Sequence, residues 1–119
     1  MGVHIRVEEV SLDSNKLRGL IEKEGCGSIV SFVGLTRGDD LGKKVKRLEF
    51  DSWEAKLPEV LEEIANDAIT RFLVKSVLIA HRTGSVKPSQ EIVCIHVGSK
   101  HRKEGFIACS WIIDELKKQ

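Results

Sequence analysis

The chain has 119 residues and a mass of 13.3 kDa, enough for one hydrophobic core and too short for two. Hydrophobic residues make up 41% and charged residues 31%, and the mean hydropathy is −0.13, a balance that excludes a disordered polyelectrolyte and an apolar membrane span. Nineteen basic against eighteen acidic residues leave a net charge of +1, so no global field draws the chain to nucleic acid or to an anionic membrane surface, and any anion site must be local.

The first ten residues alternate apolar and charged side chains, unlike the basic start and apolar run of a secretory signal, so no export is expected. Val3, Ile5 and Val7 predict a half-buried first strand ending near Val10. Asp13 or Ser14 then caps a short helix that carries Leu17, Leu20 and Ile21 and stops at Gly25. The continuous apolar run from Gly27 to Leu35 predicts a central strand buried on both faces. A glycine- and aspartate-rich loop over 34–42 follows, leading to a strand through Val45, Leu48 and Phe50. From Ala55 to Phe72 the apolar positions recur at helical spacing, with Pro58 placed in the first turn. Val77–Ala80 and Ile92–Val97 form an antiparallel hairpin around a turn at Gly84–Pro88, and a last helix starts at Ser99 and reaches Lys117 or Lys118. This order predicts a single α+β domain over 1–119 with a mostly antiparallel sheet and three helices.

Three places invite chemistry. Ser99-Lys-His-Arg-Lys103 sets cationic side chains at the start of a helix, where each opposes the macrodipole by about 0.3–1 kcal/mol. A bound phosphate or carboxylate would reverse that cost; otherwise Lys100 and Lys103 simply point into solvent. His101 can donate or shuttle a proton and Arg102 can fork onto an anion. Arg37 follows the second strand in a glycine-bordered loop, free to reach a cleft or to remain an ordinary loop arginine. Lys117 falls about 20° beyond Phe106 on a helical projection, at the edge of a sector with Cys109, Ile113 and Leu116. It either snorkels along the core or holds a partly desolvated amine for acid, base or nucleophile work. Asp39 and Asp40 lack the spacing of a cation loop, and no metal or cofactor motif occurs. His4, His81 and His96 read as structural or surface groups, and Cys94 and Cys109 as small buried apolar residues suited to a reducing cytoplasm.

The segments Phe32-Val-Gly-Leu-Thr-Arg37, His81-Arg-Thr-Gly84, Glu91-Ile-Val, Ser99-Lys-His-Arg102 and Asp114-Glu-Leu-Lys117, in this order and spacing, resemble the catalytic, large subunit of molybdopterin synthase, the MoaE family. The resemblance runs from about Gly25 onward. It implies an α/β-hammerhead fold and a homodimer, each end of which binds a small ubiquitin-like subunit with a C-terminal Gly-Gly, in all a cytoplasmic heterotetramer. It also implies transfer of sulfur from that subunit's thiocarboxylate to cyclic pyranopterin monophosphate, forming the dithiolene of molybdopterin without a cofactor of the enzyme's own. Arg37, His101 and Arg102 would hold the phosphate and pterin, and Lys117 would stand beside the thiocarboxylate. The family's Pro-Phe-Trp-Lys segment with a second functional lysine has no counterpart before Gln119, and Lys118 does not match it. The alternative expectation is therefore a non-catalytic relative that keeps the phosphate or partner site.

A continuous last helix would set Arg102 and Lys117 about 22 Å apart at 1.5 Å per residue, too far to grip one small substrate in one chain. The expectation is a shared site, with His101 and Arg102 of one protomer completing the pocket that holds Arg37 and Lys117 of its partner.

Overall fold

The computed structural model describes residues 2–36, 51–84 and 87–118, with side chains of the long helix described from Ala55 onward. In chain order the elements are β1 (Val3–Glu8), α1 (Ser14–Arg18), β2 (Ser28–Leu35), α2 (Asp51–Phe72), β3 (Ser76–Arg82), β4 (Glu91–Ser99) and α3 (Arg102–Lys117). The four strands form one sheet in the order β1-β3-β4-β2. β1 runs parallel to β3, while β3 with β4 and β2 with β4 are antiparallel. The α+β class and the predicted hairpin are as expected.

Alternation along the strands divides the sheet into two apolar faces. Val77, Ile79, Ile95 and Val97 face α2 and α3, meeting Leu57, Leu61, Ala65, Ala68, Ala108 and Ile112 in the main core. Leu78, Ala80 and Cys94 face the other way, where Leu12, Ile21 and the α1 residue Leu17 cover them. Burial of each large aliphatic side chain in the main core contributes about 1.5–3 kcal/mol.

Several boundaries differ from the sequence reading. β2 is an edge strand among the described residues, pairing only with β4, and Val33 and Leu35 remain 38% and 55% exposed. Its apolar run signalled a strand correctly but not its place, because pairing order depends on distant segments. α1 ends at Arg18, with Gly19 as its C-cap, instead of reaching Gly25. Five residues fit between the Asp13 cap, whose side chain accepts from the Lys16 N–H, and a glycine of poor helix propensity. α2 begins at Asp51, so Pro58 lies inside the helix and beyond its first turn. Ser99 closes β4 and does not cap the last helix; His101 occupies the N-cap position. The strand expected through Val45, Leu48 and Phe50, the loop residues Asp39 and Asp40, and part of the Gly84–Pro88 turn lie outside the described residues. No helix among the described residues is long and apolar enough to cross a membrane.

Candidate functional site

The site is built where β4 ends and α3 begins. Ser99 is fully buried, and its hydroxyl donates to the His101 carbonyl at 2.6 Å, which fixes the intervening turn. The Ser28 hydroxyl lies 3.3 Å from Ser99 Oγ, and the Gly27 N–H donates to the Ser99 carbonyl at 2.9 Å, so the start of β2 is stitched to the same turn. Two glycines permit the crowding. A Cβ at Gly27 would run into the Lys100 carbonyl oxygen, and one at Gly105 would come within 2.8 Å of Ser99 Oγ and 3.0 Å of Val30. The first turn of α3 therefore lies almost directly on β2.

That closeness frames an open hollow of about 730 Å³. Lys100, His101, Arg102 and Lys103 line it together with Phe106 and Ile107, and Gly27 and Ser28 form the opposite wall. His101, Arg102 and Lys103 are all exposed. The side chain of His101 makes no capping bond, so the first amides of α3 receive none from their N-cap, and Glu104 is the only acid in the first turn. Free amide donors, an arginine fork, a lysine and an imidazole thus share one concave surface with a phenyl ring. Such a surface can bind an anion bearing an apolar or flat portion.

The structure brings His101 and Arg102 together and leaves Lys117 apart. α3 is unbroken across Gly105, which keeps Arg102 and Lys117 about 22 Å apart along its axis. Lys117 is exposed, not partly inward. The sequence projection took Phe106 as a core residue, whereas the buried stripe is Gly105, Ala108, Cys109 and Ile112, and Phe106 is 58% exposed. Lys117, only about 20° from Phe106, accordingly turns outward with it. Its neighbour Lys118 is tied to Glu115 at 2.9 Å. Arg37 lies outside the described residues.

Sequence reasoning missed the outward roles of Phe106 and Ile107. The small residues Gly105 and Ala108, three apart and followed by Ile112, mark the side that packs closely on a sheet, and that signal outweighs the size of Phe106. His4, His81 and His96 lie on β1, β3 and β4 and do not line the hollow. His81 is pushed below the usual imidazole range by burial, opposed by its bond to the Arg82 carbonyl, and burial likewise lowers His96. Among the described residues no group of three metal-ligating side chains converges.

A sheet of this order, covered on one face by two long helices and carrying a cation-lined hollow at a helix start, defines an α+β protein with a candidate anion site. Residues 7–119 match the model of the MoaE protein family, and the chain belongs to that family. It is 37% identical over 100 residues to the molybdopterin synthase catalytic subunit of Pyrococcus abyssi, covering 84% of this chain and 68% of that one. It is 33% identical over 115 residues to the catalytic subunit of Drosophila sechellia, covering 96% of this chain but 31% of that protein. It also resembles a solved protein–protein complex of subunits 1 and 2 of molybdopterin-converting factor from Helicobacter pylori 26695, with a TM-score of 0.73 and 25% identity, covering 95% of this chain and 77% of that chain.

Proposed function

We propose that this chain is the catalytic subunit of a molybdopterin synthase. In this reading it transfers sulfur from the thiocarboxylated C-terminus of a small ubiquitin-like subunit to cyclic pyranopterin monophosphate, in the cytoplasm and as a homodimer within a heterotetramer. The observation that carries the reading is the pairing of His101 with Arg102 at the uncapped start of α3, in a hollow with further cations and an apolar wall. A phosphate ester needs the amides and the arginine fork. The uncharged part of the same substrate needs the apolar wall. Family membership and the named function of the relatives support the assignment, and the Helicobacter pylori complex supports a two-subunit assembly.

In the proposed mechanism Arg37, His101 and Arg102 orient the substrate and offset its negative charge, and the second anion, the thiocarboxylate tail, enters the same cleft. Lys117 assists at the thiocarboxylate: its sulfur bonds to a side-chain carbon of the pterin as an oxygen substituent leaves that carbon, and water then attacks the resulting thioester, so that the acyl carbon–sulfur bond breaks, sulfur stays on the pterin and the small subunit leaves as a carboxylate. A rigid α3 keeps Lys117 from reaching substrate held by Arg102 of its own chain. The working site is therefore proposed to combine His101 and Arg102 of one protomer with Arg37 and Lys117 of its partner.

The test is dithiolene formation from thiocarboxylated small subunit and cyclic pyranopterin monophosphate. Arg102→Ala and Lys117→Ala proteins should each lose activity, by about 100-fold or more for removal of a proton-transfer or charge-stabilising group. Mixed after subunit exchange, they should regain part of it, because one of the two sites in each hybrid dimer is intact. No product from the unaltered protein would refute the catalytic reading, and no recovery in hybrids would refute the shared site.

A further inference from the structure

On the sheet face turned away from α2 and α3, Ser31 of β2 stands opposite His96 of β4, and its Oγ is 2.7 Å from His96 Nδ1. The serine is exposed, while the imidazole is buried with 1% of its surface accessible. His96 Nε2 lies 3.0 Å from the Ser14 carbonyl oxygen. A carbonyl only accepts, so the ring proton sits on Nε2, and Nδ1 presents its lone pair to the Ser31 hydroxyl. The carbonyl itself is held in place, since the Ser14 N–H donates to Glu91 Oε1 at 3.1 Å and the Ser14 hydroxyl to Glu91 Oε2 at 3.4 Å. An exposed hydroxyl, a buried base and a fixed group that sets the tautomer of that base form the arrangement that activates a nucleophile.

We propose that Ser31 is a reactive nucleophile with His96 as its base, accepting acyl groups from activated esters or thioesters with an apolar acyl chain. The preference for an apolar acyl chain follows from Val33 and Leu35, which lie two and four residues along the same face of β2 and are 38% and 55% exposed. In the step, Ser31 Oγ bonds to the acyl carbon as its proton passes to His96 Nδ1. The bond from that carbon to the leaving group then breaks, and the leaving alcohol or thiol takes the proton from His96. Water attacking the serine ester by the reverse proton route releases the acid and restores the hydroxyl. Burial favours the neutral, proton-accepting imidazole; the charged groups around it are Arg18 of α1, which favours the same form, and Glu91 of β4, which opposes it. This site is separate from the hollow at α3 and does not depend on the sulfur-transfer reading.

The test uses the full chain with p-nitrophenyl butyrate, reading p-nitrophenol release and the site of acylation by tandem mass spectrometry. One butyryl group on Ser31 is expected, absent from Ser31→Ala protein and formed about 100-fold more slowly in His96→Gln protein of unchanged melting behaviour. Acylation that persists in Ser31→Ala, or that falls on lysines, overturns the proposal, as does a rate no faster than that of a free serine amide. Because a buried histidine variant can fail to fold, Ser31→Cys in a Cys26→Ser background gives a second reading. Its alkylation by iodoacetamide should titrate below the ordinary thiol value of about 8.5, through an ion pair with His96. An ordinary thiol profile overturns the dyad.

Discussion

Cys94 is wholly buried and Cys109 nearly so, and burial pushes both thiols up to about 11. Glu91 adds to the effect at Cys94. Cys26 is half-buried, its Sγ 3.6 Å from the Glu22 carbonyl oxygen. Since the thiolate is the reactive form, a thiol reagent at neutral pH should modify Cys26 alone in the folded protein and all three cysteines in denaturant. Rapid modification of Cys94 or Cys109 under native conditions would contradict the packing. The fate of these two thiols was readable from composition and spacing because burial of an apolar residue needs no particular partner. The orientation of Lys117 was not, because a projection is only as good as its reference residue. Ser31 and His96 sit 65 positions apart and meet only through strand register, which local periodicity does not encode.

At the level of elements, the join between β4 and α3 is the feature most sensitive to change. Gly105→Ala removes an entropic liability of about 1 kcal/mol in a helix interior. It also drives a methyl into Ser99 Oγ and Val30, for which overpacking costs about 1–3 kcal/mol. The Ser99 hydroxyl cannot yield without losing its bond to the His101 carbonyl, so the second effect should win. Net destabilisation, read as a lower urea midpoint with unchanged slope, is the expected result. Under the proposed function a substrate-affinity loss should accompany it, because the same turn aims His101 and Arg102. The three helices and four strands among the described residues were foreseeable from periodicity, while their ends shifted. Ser99 was mistaken for a cap because serine satisfies an N-cap equally well in sequence, but here its hydroxyl serves the turn and its backbone finishes a ladder.

Across the whole molecule, His81 and His96 link stability to pH. Burial holds both below the value of 6.5 that they would have in an unfolded chain. The unfolded state therefore takes up protons first, and their contribution is complete above pH 6.5 and is lost as pH falls toward their folded values. Urea midpoints should decline between neutral and mildly acidic pH, and His96→Gln should flatten that decline if it folds. The class of the fold followed from element order alone, whereas the parallel pairing of β1 with β3 and the edge position of β2 arise from contacts between distant segments. The single uninterrupted α3 has one more consequence. It acts as a spacer bar, since each inserted residue advances its far end by about 1.5 Å and swings it by about 100°. Under the shared-site reading, the length of this one helix sets how far apart two protomers must hold their cooperating cations, so trimming it would misalign a site whose individual residues were all still present.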